Sequence, residues 1–434
     1  MATVGNIAKI PELRRRILFT LLMLGIYRLG IYVPTPGIDT EALSHILRQG
    51  TVFDIFNLFS GRALENFSVF ALGIMPYISA SIIIQLLGVA VPAVEQLKKE
   101  GEAGHKKITQ YTRYGTVVLS LVQGFGISYG LEQQGVLHPG VGGLSFYLLT
   151  MITLAAGTSF LMWLGEQITE RGIGNGISLI IFAGIVANVP SSFRAAWIGK
   201  DQFGELFGFL LLLTSIAAII AAIVYFERSH RRIPVQYAKR IVGRKMMGGQ
   251  GSYLPLKINM AGVIPPIFAQ SLILFPATIA QFSQSETLQT IASYLGSGWI
   301  YNALYAGLII FFTYFYTAVT FNPIDVAENI QKYGGYIPGI RPGKTTAEFI
   351  DRILTRITVG GALYITTICL LPQILTGMMG VPQTLAFTFG GTSLLIMVGV
   401  AMDTVGQMES HLLSHQYEGV FGGRSAGRFR GRRG

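Results

Sequence analysis

Ten stretches of about 20 mainly apolar residues recur along the chain, each long enough for an α-helix to cross the hydrocarbon core of a bilayer. They fall at 17–33, 74–92, 114–131, 146–165, 174–190, 207–226, 260–281, 301–320, 358–375 and 385–404. Unpaired backbone amides are too costly in lipid for anything but helices or closed barrels, and runs of this length predict helices. Only 13% of the residues are charged, against roughly 25% in soluble domains. The chain therefore reads as an all-α polytopic membrane protein. The fifth run is short and bounded by Gly172, Gly174 and Gly176.

Lys and Arg in short loops set orientation, because they stay on the cytoplasmic side. With the N-terminus inside, 28 of the 33 basic residues fall in inside segments. Four (Arg48, Arg62, Arg194 and Lys200) fall outside, and Arg28 lies within the first run. This asymmetry predicts two cytoplasmic termini and supports an even span count. Ten spans permit two inverted five-helix halves, 17–190 and 207–404, since an odd number of spans flips the second half. They are flanked by an N-terminal segment, 1–16, and a C-terminal tail, 405–434. Gly422 to Gly434 is nearly all Gly and Arg and is expected to be disordered. The first run lacks a small-residue cleavage site, so no cleavable signal peptide is expected.

Catalytic chemistry is hard to find. Within the ten runs the ionisable groups are Arg28 and Asp403, both near a span end. Ion-coupled transporters place such groups at mid-depth. Pro338 to Thr345 ends like a phosphate-binding loop, but Pro338 stands where the motif needs Gly. His411 and His415 share a helix face without further metal-binding partners. Asn66-Phe67-Ser68 matches a glycosylation sequon, a pattern common by chance. The single cysteine, Cys369, cannot form an intramolecular disulfide. No cofactor, metal or enzymatic activity is expected, and any energy source must come from outside the chain.

Two inside loops, 227–259 and 321–357, are longer than a helix connection needs. Their basic residues suit anionic lipid. Their length and Pro/Gly punctuation favour ordered turns that project toward a large partner, with phosphate-rich RNA one candidate.

Four segments then carry a family resemblance: Arg231 to Arg240, Asn259 to Pro265, Gly73 to Gln85, and Gly390 to Ile396. They resemble the bacterial SecY family, the pore subunits of the general protein translocation channel. The likeness covers the chain apart from its Gly/Arg tail. It implies a central hourglass pore in the plasma (inner) membrane that passes unfolded secretory polypeptides and releases transmembrane segments sideways. The implied waist is a ring of six isoleucines: Ile74, Ile78, Ile177, Ile181, Ile267 and Ile396. Two pairs are spaced i, i+4 and so share a helix face. A plug, a short helix at 57–70, is implied on the outer side, including Ser60, Gly61, Arg62, Ala63, Leu64 and Glu65. Ser79, Gln123, Gln270, Ser271 and Phe275 are the implied lateral gate. Arg240, Arg244, Lys245, Arg341 and Lys344 are the implied docking residues for the SecA ATPase and for the ribosome through its RNA. The other implied partners are SecE and SecG subunits, signal peptides, nascent chains and anionic lipids, with no small-molecule substrate. The competing class, a secondary transporter, is disfavoured by the scarcity of buried charge together with the isoleucine set. A membrane enzyme has no residue constellation behind it.

Overall fold

The computed structural model describes residues 11–39, 43, 60–133, 135–138, 142–198, 205–237, 240–242, 245–247, 252–281, 298–379 and 389–425. Each of the ten apolar runs carries a helix. These are α1 (Pro11–Gly30), α2 (Met75–Ala90), α4 (Glu102–Gln133), α5 (Leu144–Arg171) and α6 (Gly176–Ile198). The remainder are α7 (Glu205–Arg228), α8 (Ile264–Gln281), α9 (Trp299–Thr320), α11 (Lys344–Met379) and α12 (Gly391–Ser425). Two short helices lie between them, α3 (Pro92–Lys99) and α10 (Pro323–Lys332). Among the described residues, five helices are long and apolar enough to cross a membrane unaided, or up to six if α2 and α3 form one broken span. α2 and α3 meet at 103°. Pro92, at the first position of α3, is where a chain cannot continue the preceding helix. α12 runs to Ser425, past the point where order was expected to end, and the tail from 426 on lies outside the described residues.

The chain divides into two compact units. The first takes in residues 1–190, 278–289 and 400–434, and the second 191–277 and 290–399. The first boundary falls at Pro190, and the C-terminal part of α12 belongs to the first unit. Pro190 in α6 and Pro276 in α8 mark two of the boundaries from inside a helix.

In the first unit α4 packs along α5 on a stripe of small residues. Thr112, Thr116, Ser120, Gly124 and Ser128 recur every four residues and are all buried. A Cβ on Gly124 would lie 3.3 Å from the Met151 Cα, so the two backbones nearly touch. Small residues allow this approach where lipid gives no hydrophobic drive. Arg113 pairs with Glu166 near one end of the stripe. Near the other, the Glu132 carboxylate accepts from the Gly143 amide at 2.9 Å and from the Tyr147 hydroxyl.

The second unit holds a small sheet. β1 (His230–Tyr237) lies between β4 (Ser252–Lys257) and β5 (Gly335–Tyr336), all antiparallel, in the order β4-β1-β5. A separate ribbon pairs β2 (Arg240–Val242) with β3 (Lys245–Met247). Both long loops contribute, so they are joined rather than projecting separately: Gln236 pairs with Tyr336 and Tyr237 with Gly335. Beneath the sheet, Ile233, Val235, Leu256, Ile337 and Ile350 form a dry core. Alternation explains it, because Ile233 and Val235 point inward while Arg232, Pro234 and Gln236 point to solvent. α10 starts on an Asn322 cap, whose side chain accepts from the Ile324 amide at 3.1 Å.

Candidate functional site

Residues 61–74 are a succession of turns, not the short helix that the resemblance implies. Residues 57–59 of the expected plug lie outside the described residues. The cause is local. Gly61, Arg62, Phe67 and Gly73 all have positive φ, which breaks a right-handed helix at each point. For a non-glycine residue the left-handed conformation costs about 1–2 kcal/mol, so Arg62 and Phe67 must be held there by their surroundings. The holding contacts are visible. The Thr35 amide donates to the Phe67 carbonyl at 2.9 Å, and the Val69 amide to the Val33 carbonyl at 3.0 Å. Ala63, Leu64, Phe67, Phe70, Ala71 and Leu72 are buried. Phe70 stacks on Phe160 of α5 with centroids 5.8 Å apart, and on Tyr27 of α1 at 6.3 Å. Gly157 of α5 leaves space for the Val69 carbonyl that any Cβ would occupy. Two further bonds run from α1. The Tyr27 hydroxyl donates to the Ser60 carbonyl at 3.0 Å, and an Arg28 guanidinium N–H donates to the Gly61 carbonyl at 3.2 Å.

Of the six isoleucines, Ile74, Ile78, Ile177 and Ile181 belong to the first unit, Ile267 and Ile396 to the second. Ile74 is the N-cap of α2, and its carbonyl accepts from the Ile78 amide at 3.1 Å, which stacks the two on one face. Ile177 and Ile181 occupy the first turns of α6, whose start is fixed by side chains from three helices. The Ile173 amide donates to Thr20 of α1 at 3.1 Å, and Gly174 to Gln407 of α12 at 3.0 Å. Gly176 donates to Thr169 of α5 at 2.9 Å, and Asn175 caps the Ile177 and Ser178 amides. Ile267 lies in the first turn of α8. Ile396 is fully buried in α12, which begins at Gly391. A Cβ on Gly391 would press on the Cys369 Cα at 2.8 Å, so only glycine allows α12 to start there.

Among the expected gate residues, Ser79 is half-buried in α2 and Gln123 is buried in α4. The Gln123 Oε1 has no hydrogen-bond partner among the described residues. An unpaired buried amide oxygen costs about 1–3 kcal/mol. In α8, Ser271 donates to the Ile267 carbonyl at 2.8 Å, and Gln270 accepts from the Tyr305 hydroxyl at 3.5 Å. Tyr305 also bonds Thr392 at 3.0 Å. The Phe275 side chain lies outside the described residues.

Of the expected docking residues, Arg341 and Lys344 lie at the start of α11, beside the sheet. Arg341 is exposed, and its carbonyl accepts from the Thr345 and Thr346 hydroxyls at 2.7 and 2.8 Å. Arg240 and Lys245 lie in the β2–β3 ribbon, their side chains outside the described residues, as is Arg244 altogether. Sequence reasoning missed Thr20, Tyr27, Thr169, Gly184 and Gln407. Arg28 alone gave a signal, as a charge within a span.

The class follows from the fold: a polytopic helical membrane protein built like a protein-conducting channel. A solved chain described as a protein conducting channel superposes with a TM-score of 0.66 at 18% identity, covering 95% of this chain and 98% of that one. One described by its SecY plug domain, which stabilises the closed state and maintains a membrane seal, gives 0.62 at 19% identity, covering 95% and 98%. The SecY family model matches residues 68–405. The protein translocase subunit SecY of Pseudomonas aeruginosa is 54% identical over 422 residues, covering 95% of this chain and 93% of the relative. The chain belongs to the SecY family.

Proposed function

We infer that the chain forms a gated pore that conducts unfolded secretory polypeptides across a bacterial plasma membrane and releases apolar segments sideways into lipid. The ten helices on the apolar runs cross the bilayer in this reading, with both termini in the cytoplasm, the orientation that the basic residues favour. The observation that carries the reading is the segment 60–73, seated among α1, α5 and α6 mostly as turns and not as a span, with Arg62 exposed and Glu65 and Asn66 half-buried. A helical span could not leave its seat so simply. It acts as the plug. The six isoleucines act as the constriction, since a narrow apolar ring excludes water and ions while yielding to a passing chain.

The reading extends to partners. SecE and SecG accompany the pore, and signal peptides and nascent chains pass through it. The SecA motor or the ribosome supplies the push, docking on the basic sheet and the start of α11. Contacts to ribosomal RNA there would be strongly salt-sensitive.

Deleting residues 60–68 is expected to leave the fold intact and raise ion conductance in planar bilayers. Unchanged conductance would overturn the plug. Oxidising a Ser79→Cys, Phe275→Cys pair is expected to block export, and normal export through the linked protein would remove these positions from the gate.

A further inference from the structure

We propose that Arg28 and Tyr27 are a latch that positions the plug through its main chain; this rests on reading 60–73 as the plug. Arg28 is the cation that the first span carries in its last turn. Its guanidinium is partly buried and reaches across 33 residues of sequence to the Gly61 carbonyl at 3.2 Å. One residue back, the Tyr27 hydroxyl takes the Ser60 carbonyl at 3.0 Å in a buried contact. Adjacent residues of one helix therefore grip adjacent carbonyls at the point where the segment enters its left-handed turn, Gly61 and Arg62.

Three features make this grip a device and not a chance contact. Both acceptors are main-chain oxygens, so the grip does not depend on the side chains of Ser60 or Arg62. The turn they hold is strained at Arg62, so releasing the grip lets the backbone relax toward ordinary conformations. The site also has no spare room. A Cβ at residue 61 would lie 2.9 Å from the Arg28 Nη1, 2.9 Å from the Gly184 Cα of α6 and 3.1 Å from the Tyr27 hydroxyl. Glycine at 61 is what lets the carbonyl sit within reach of α1 while the backbone rests on α6. A charged donor also suits a reversible hold, because water can replace one carbonyl at the guanidinium once the segment departs.

The test is ion conductance without substrate, measured on the full-length chain with its accompanying subunits, in the intact and 60–68-deleted backgrounds. Arg28→Met is expected to raise conductance about tenfold in the intact chain, the effect of losing one charge-assisted hydrogen bond. It is expected to add nothing in the deletion background, where there is no segment to hold. Arg28→Lys, which keeps the charge and a donor, is expected to recover part of the seal. Tyr27→Phe deletes one hydroxyl and is the second variant should Arg28→Met fail to fold. Gly61→Ala is expected to leak as well. If the deletion leaks while neither Arg28→Met nor Tyr27→Phe does, the latch is overturned and the plug stands. Equal increases from Arg28→Met in both backgrounds likewise overturn the latch. If the deletion itself does not leak, the plug falls and the latch with it.

Discussion

Arg113 and Glu166 meet in a two-bond ion pair, Nε to Oε1 at 2.9 Å and Nη2 to Oε2 at 2.7 Å, joining α4 to α5 near one end of their shared stripe. The fork geometry of guanidinium on carboxylate gives direction as well as energy. The Arg113 side chain is nevertheless 48% exposed, so water and salt screen much of the attraction.

Glu166→Gln is accordingly expected to cost about 1 kcal/mol, near the upper end for exposed pairs. The unfolding midpoint in detergent should fall by a few degrees, and the deficit should shrink at high salt. A deficit that ignores salt would mean the pair is desolvated in the membrane-embedded protein.

The backbone approach at Gly124 makes a sharper forecast. Gly124→Leu is expected to destabilise by about 1–3 kcal/mol through overpacking against Met151. Gly126→Leu, two residues on, meets nothing within 4 Å and should be tolerated. Comparing folded yield and thermal midpoint of the two variants decides the matter, and equal effects would sink the packing argument.

The sheet region separates docking from folding. Arg341→Glu reverses an exposed charge and should leave the fold unchanged while impairing motor-driven export more than membrane insertion. Ile233→Asp places a carboxylate in the core shared by both loops and should disrupt the whole module, exposing 230–257 to protease. Equal loss of export and insertion in Arg341→Glu would argue against a motor-specific role.

The helices were legible because bilayer thickness leaves them one length scale, and every apolar run carries one. The break at Val91–Pro92 was written in the sequence as a proline, yet hydropathy alone runs straight through it. The sheet was half legible. Ile233 and Val235 alternate with exposed neighbours, but the partner β5 is two residues long and has no pattern of its own. The turns of 61–74 depend on Arg62 and Phe67 in left-handed conformations, which tertiary contacts impose and residue type does not announce. The grip on Ser60 and Gly61 uses main-chain oxygens, which no sequence reveals.

The small-residue stripe also bears on how such a chain comes to exist. Among the described residues, the stripe, the Arg113–Glu166 pair and the Glu132 contacts that join α4 to α5 all fall between residues 102 and 171. None of those contacts awaits a later helix. During synthesis the two helices can lock together in the bilayer as soon as the second has emerged, giving the spans that follow a finished surface on which to assemble.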